Sequence, residues 1–179
     1  MALLQDGRTI YSNRLGLLKH PPSAHEAKVD RDTRAVLADG RRFFAMGITG
    51  IPRHLMEAYA AAGFNLTTGA GDTCLDTAAH HGMKVMAATF YVVPRTDYAT
   101  KPADELERLI RASTLPATAA QGRNHPAFLG YFWDEPDEKE VRGSAVLAAV
   151  TRDCDPYHLI APCFWSPLGP SIPPAIYDI

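Results

Sequence analysis

From Arg42 onward the chain alternates short apolar runs with stretches of helical periodicity, and this alternation constrains its fold more than any other feature. The first run, Arg42-Phe43-Phe44-Ala45-Met46-Gly47-Ile48, has the composition of a buried strand. Pro52 then suits a first helical turn; Leu55, Met56, Tyr59, Ala60 and Ala62 share one helical face, and Gly63 ends it. Residues 64–68 read as a second strand. Asp72 or Thr73 is placed to cap a helix whose face is Leu75, Ala78 and Ala79, closed by Gly82. A third strand is predicted over residues 84–93, ended by Pro94. Pro102, Asp104 and Glu105 open a further helix with face Leu106, Leu109 and Ile110, its acids near the positive helix end. Residues 128–133 form a fourth strand, 138–150 a helix, and 159–165 a fifth strand. Strands separated by helices indicate βαβ units and a parallel sheet. Both a doubly wound open sheet and a (β/α)8 barrel satisfy that pattern, and composition does not separate them.

Residues 1–38 precede this alternation as a lead-in. Residues 28–37 read as extended, with Val29, Val36 and Leu37 among charges, and Asp39-Gly40 is a strong hairpin-turn signal. Of the 179 residues 46% are hydrophobic and 21% charged, with a formal net charge of −2, an ordinary globular balance. That balance argues against an electrostatic nucleic-acid binder or a basic membrane-surface protein. No run is long enough for a spanning helix. Gln5, Asp6, Arg8, Asn13 and Arg14 interrupt the N-terminal residues, so no secretory signal is expected. Three cysteines, Cys74, Cys154 and Cys163, are an odd count without CxxC spacing. Neither a disulfide framework nor a zinc knuckle is expected, and no metal or cofactor.

In parallel α/β folds the chemistry sits at the carboxyl ends of the strands. Those ends are Thr49-Gly50, Thr68-Gly69, Tyr91, Asp134-Glu135 and Trp165-Ser166. Gly69-Ala70-Gly71 lies between a strand and a helix, but the third position of a dinucleotide fingerprint falls on Cys74, so it reads as an ordinary connecting loop. There is no GxSxG elbow. His80-His81 falls near a helix C-terminus, where imidazolium suits the dipole. His20, His25, His54 and His158 each stand alone, and His125 precedes Pro126 in a turn. Asn65-Leu66-Thr67 matches a glycosylation acceptor but falls in a predicted strand.

One segment rises above this background: Leu129-Gly130-Tyr131-Phe132-Trp133-Asp134-Glu135-Pro136-Asp137. An apolar strand delivers two adjacent carboxylates and stops at a proline. Glu135, with Trp133 and Tyr131 beside it, has the surroundings that raise a carboxyl pKa into the range of a general acid. Side chains alternate along a strand, so Asp134 and Glu135 need not point the same way. Acids at the start of a helix explain the same residues without any chemistry, and Asp137 and Glu138 fit that reading well. Spacing alone leaves both readings open.

Four segments in order resemble retaining glycoside hydrolases of the (β/α)8 superfamily called clan A. "DGRRFFAMGITG" at 39–50 resembles their first barrel strand and "AGFNLT" at 62–67 their second. "HGMKVMAATFY" at 81–91 resembles the third, and "HPAFLGYFWDEPD" at 125–137 the acid/base segment of the fourth. The resemblance implies a general acid/base at Glu135. Many members carry Asn just before that Glu, contacting the sugar 2-hydroxyl; here the position is Asp134, as in a "DEP" variant, giving it a supporting role. By the same analogy Tyr91, Trp133 and Trp165 are candidates for binding a carbohydrate substrate, and barrel-rim packing explains them equally. The family nucleophile, a Glu ending the seventh strand, has no match in this chain.

The resemblance therefore implies an α/β fold: an incomplete (β/α)8 barrel over residues 39–179, with strands one to five and the start of a sixth, behind the β lead-in. A complete barrel takes about 250 residues, so the chain is expected to be the N-terminal portion of one. An unclosed barrel edge is expected to promote self-association. The alternative function is a non-catalytic carbohydrate-binding or structural half-barrel that needs a partner chain. A third reading, a small open-sheet domain, expects a nucleotide at residues 69–72.

Overall fold

The computed structural model describes residues 2–5, 8–12, 19–69, 75–134 and 137–163. Strands β1 (Ala2–Gln5) and β2 (Arg8–Ser12) pair antiparallel. A second small sheet contains β3 (Ala27–Val29), β4 (Val36–Ala38) and β5 (Arg41–Arg42), also antiparallel. Its β4–β5 turn is the Asp39-Gly40 pair, with φ of 51° and 73°. A two-residue type I′ turn needs positive φ at both central positions, which is why Asp-Gly serves there.

The body of the molecule alternates as the periodicity predicts. β6 (Gly47–Thr49) leads to α1 (Met56–Ala61), β7 (Leu66–Gly69) to α2 (Leu75–His80), and β8 (Lys84–Ala88) to α3 (Arg95–Thr100), α4 (Ala103–Arg111) and α5 (Leu115–Gly122). β9 (Phe128–Asp134) is followed by α6 (Val141–Cys154) and β10 (Leu159–Cys163). The five strands β6 to β10 form one parallel sheet whose spatial order is their sequence order. A doubly wound sheet must reverse direction at a switch point; this one never does. Crossovers of one hand that always step the same way put every helix on one face. Accordingly Met56, Leu75, Tyr98, Leu106, Leu115 and Leu147, one from each helix, share a single core with Val85, Phe128, Trp133 and Ile160 of the strands. The chain is α/β, and its described residues hold a five-stranded parallel sheet consistent with an incomplete (β/α)8 barrel. No helix among the described residues is long and apolar enough to cross a membrane.

The opposite face of the sheet carries a separate cluster: Met86, Leu129 and Leu159 with Ala27 and Ala38 of the lead-in sheet, joined by Leu66, Phe132 and Ala161. The lead-in is therefore a plug over the end where the strands begin. Ala27 N donates to Tyr157 O at 2.8 Å. Asp39 Oδ2 accepts from Lys84 Nζ at 3.2 Å, and Lys84 Nζ also donates to Pro126 O at 2.6 Å. One lysine thus holds the hairpin turn against the starts of β8 and β9.

Two sequence expectations are corrected. The apolar run over residues 42–48 is not one buried strand: Arg42 ends β5 of the lead-in sheet, only Gly47–Thr49 joins the parallel sheet, and Phe44 between them is 81% exposed. Among the described residues β6 is an edge of this sheet, paired with β7 alone, and the side chain of Asn65, just ahead of β7, extends that pairing back along residues 44–46. Its amide donates to Phe44 O at 2.8 Å and accepts from Met46 N at 2.7 Å. The third strand ends at Ala88 rather than residue 93. Phe90–Val92 turn into a 3-10 helix because Phe90 stacks on Tyr98 at 4.7 Å while the Tyr98 hydroxyl donates to Phe90 O at 2.9 Å. Helices α3 and α5, for which the periodicity gave no forecast, pack on the same core. The cap forecast at Asp72 or Thr73 lies outside the described residues.

Gly130 marks a tight spot. Between β8 and β9 the register slips, so that Met86 faces Gly130 after Val85 faces Phe128. Gly130 has φ of 153°, and a Cβ there would run into the backbone oxygen of Leu159 on β10. Overpacking a core backbone contact costs about 1–3 kcal/mol, so Gly130→Ala is expected to lower the urea-unfolding free energy by that amount or more. An unchanged midpoint in denaturant would contradict this account of the strand contact.

Candidate active site

The carboxyl ends of the five strands lie on one edge of the sheet. β9 reaches it as a run of buried residues whose last member, Asp134, is half-buried. Alternation past the slip at Gly130 sends Leu129 and Phe132 to the inner cluster and Phe128, Tyr131 and Trp133 to the helix side. Asp134, two residues beyond Phe132, therefore falls on the inner face, in register with Cys163 of β10. Tyr91, in the 3-10 turn after β8, reaches across to it. The Tyr91 hydroxyl donates to Asp134 Oδ2 at 3.3 Å, and 56% of Tyr91 remains exposed. Two of the five candidate residues thus meet at the strand ends. Glu135 and Trp165, like Pro136, lie outside the described residues, as does most of the Gly69-Ala70-Gly71 loop.

Trp133 is corrected. It is fully buried on the helix side, with its ring 6.4 Å from that of Phe90. A stacking platform must present an open ring face, so Trp133 is a core residue. Tyr131 faces the same way, and its hydroxyl donates to Asp155 Oδ2 at 2.8 Å. Neither ring lines the inner side of the strand end, as the expectation for Glu135 required. Burial and the adjacent Asp155 carboxylate push the Tyr131 hydroxyl pKa up. Asp155 also accepts from Tyr157 N at 3.0 Å and pairs with His158 Nδ1 at 2.9 Å, both side chains of that pair being fully buried. This cluster ties the end of α6 to β9 and β10 and explains His158 as a structural residue.

Asp137, the first described residue after β9, is held from a second side. Arg95 Nε donates to Glu140 Oε1 at 2.9 Å and Arg95 Nη2 to Glu140 Oε2 at 2.6 Å. Glu140 Oε2 also accepts from Asp137 N at 2.6 Å, while the Asp137 side chain accepts from the Glu140 backbone, closing a capping box. The Arg95 guanidinium lies 5.3 Å from the Phe90 ring centroid. Burial of Glu140 favours its neutral form, but the Arg95 bond and the Asp137 N–H outweigh it and hold the carboxyl below its usual range. The same Glu140 pushes Arg95 further up. So Asp134 is tied to Tyr91, and Asp137, three residues on, is tied through Glu140 to Arg95. The D-x-x-E spacing at 137–140 was a legible signal for half of this device. Nothing in sequence pointed to Arg95, which is 45 residues away. Among the described residues no group of three or more His, Cys, Asp or Glu side chains is placed to hold a metal ion.

No protein-family model and no curated protein matches the chain. Solved structures do. A beta-glucuronidase of an uncultured Clostridium sp. is 13% identical with a TM-score of 0.58, over 86% of this chain and 31% of that one. A glycoside hydrolase family 5 protein from Bacteroides vulgatus ATCC 8482 is 15% identical with a TM-score of 0.53, over 76% and 39%. The beta-D-glucuronidase of Dictyoglomus thermophilum is 14% identical with a TM-score of 0.52, over 77% and 28%. The fold shared with these structures is part of a (β/α)8 barrel. The chain spans well under half the length of each of these structures, and at such identities the likeness is one of fold alone.

The clamp makes a pH-dependent contribution. A carboxyl whose folded pKa is depressed stabilises the fold above its unfolded value, and that stabilisation is lost as pH falls through the folded value. Glu140→Gln is expected to cost about 2 kcal/mol at pH 7, the usual loss for a buried charged hydrogen bond. The difference from wild type should shrink once pH falls below 4.5, the ordinary value for this carboxyl. Urea unfolding of both proteins at pH 7 and pH 3 checks this, and an equal gap at the two pH values would refute it.

Proposed function

We propose that this chain carries the acid/base half of a glycoside hydrolase active site, acting on O-glycosidic bonds by a two-carboxylate mechanism. The supporting observation is the Tyr91–Asp134 hydrogen bond at the carboxyl end of the sheet, one residue before Glu135 in the chain. In this reading Glu135 protonates the leaving oxygen. In a retaining mechanism it then deprotonates the incoming water, and the attacking carboxylate stands about 5–5.5 Å from it across the scissile bond. Barrel strands after β10 supply that nucleophile. Asp134, oriented by Tyr91, accepts a hydrogen bond from a sugar hydroxyl, and the exposed ring of Tyr91, with Trp165 as a further candidate from the sequence, bears on the sugar face.

In a polypeptide with the remaining barrel strands present, Glu135→Gln is expected to lower turnover of poor leaving groups by about 10²–10⁴-fold. Activated aryl glycosides, which need little proton donation, should suffer less at the glycosylation step. Equal rates for Glu135→Gln and wild type on poor leaving groups would dispose of the assignment.

The exposed edge favours a second reading, a non-catalytic half-barrel completed by another copy. Phe44, Met46 and Ile48 cluster around β6, the last two 46% and 37% exposed. An open edge flanked by apolar side chains recruits a strand from another chain. The 179-residue chain is then expected to associate, and Ile48→Lys together with Phe44→Ser to shift it toward monomer in light scattering. A wild-type chain that is monodisperse and monomeric rules this second reading out.

A further inference from the structure

At the opposite end of the sheet, where the strands begin, a cavity of about 830 Å³ opens between the lead-in sheet and the end of α6. Its wall carries His20, Lys28, Arg31, Arg34 and Arg152 against one carboxylate, Asp153. That carboxylate is engaged elsewhere, by Arg111 Nη2 at 2.5 Å. Lys28 is answered by Glu26 at 2.6 Å. Asp30, in the same loop as the two arginines, spends its Oδ1 on the backbone N–H groups of Asp32 and Thr33, both at 2.9 Å. Arg31 and Arg34 are left with guanidinium groups that are neither hydrogen-bonded nor ion-paired among the described residues. A chain of net charge −2 thus gathers cations at one concavity.

The backbone adds an independent observation. Arg34 has φ of 59°, in the left-handed region where glycine or asparagine is the low-cost choice. The loop holds it there through Arg34 N to Asp30 O and Asp30 N to Ala35 O, both at 2.8 Å. A strained arginine facing a cavity with no internal partner is the kind of outlier that accompanies a binding role. Guanidinium forks bind tetrahedral oxyanions through paired hydrogen bonds, and the volume falls within the range for small-molecule sites.

We infer that this cavity binds a phosphate group, free or esterified to a sugar-sized molecule, between Arg31 and Arg34, with Lys28 and Arg152 adding to the field. The inference is independent of the glycosidase reading, since Asp134 and Tyr91 lie at the other end of the strands. The test is an amide-resolved NMR titration of the 179-residue chain with inorganic phosphate, glucose 6-phosphate and glucose, with ionic strength held constant by sodium chloride. Saturable shifts confined to residues 28–34 and 152–159 are expected with both phosphates and none with glucose. Glucose 6-phosphate binding at least tenfold more tightly than inorganic phosphate identifies the ester; equal affinities identify free phosphate. Arg34→Gly removes the guanidinium and the backbone strain together, so it should raise the melting temperature while weakening binding at least fivefold. Arg31→Met with Arg34→Gly should abolish the shifts. Shifts that sodium chloride alone reproduces, or that persist in the double variant, overturn the inference.

Discussion

A parallel sheet whose strands follow one another in space as they do in sequence has all its helices on one side. Its other side must be covered by something else. Here β3 and β4 cover the end where the strands begin, through Ala27 and Ala38 against Met86, Leu129 and Leu159. The remaining inner face turns toward the ends that carry Asp134 and Cys163. This single constraint accounts for the lead-in, for the bare edge at β6, and for the location of the candidate site. The same sheet packed on both faces by helices would leave no inner surface for Asp134 to occupy.

The lead-in is held by polar bonds as well as by its apolar contacts. Lys84 donates to Asp39 and to the carbonyl of Pro126, drawing a hairpin turn, a strand start and the connection before β9 together. At the other end of the strands, Tyr91 bonds Asp134 at the end of β9 and Arg95 bonds Glu140 ahead of α6. Phe90 joins these devices to the core: it stacks on Tyr98, lies under Arg95, and immediately precedes Tyr91. An aromatic buried behind a rim can thus orient polar groups on it, because its rigid ring leaves its neighbours few rotamers to choose from.

The proposed chemistry and the inferred phosphate site occupy opposite ends of the same strands. That separation suits a barrel, where the carboxyl ends host reactions and the other end serves stability. A ligand at the lower end would bridge β3, the β3–β4 loop and the end of α6, elements otherwise tied mainly by the Ala27 N to Tyr157 O bond and the inner apolar cluster. Its binding would therefore add to the stability of the plug as well as occupying a cavity.

Local pattern determined the alternation of strands and helices, because short continuous apolar runs and 3.6-residue repeats are distinguishable within a sequence. The Asp39-Gly40 turn was equally legible, since few residue pairs accept two positive φ angles. The acid-bearing end of β9 was legible as a place, through its proline stop and adjacent carboxylates. Other features only the tertiary structure decided. Strand order is a relation between segments far apart in sequence, so periodicity allowed the doubly wound sheet and the barrel alike. Trp133 faces the helices and Asp134 the inner side because of where the register slips at Gly130, and that slip depends on how closely β10 approaches. Phe44 and Met46 look like core and stand in solvent because, among the described residues, no strand pairs with β6 on its outer side. Arg95 finds Glu140 across 45 residues, a distance that no local rule spans.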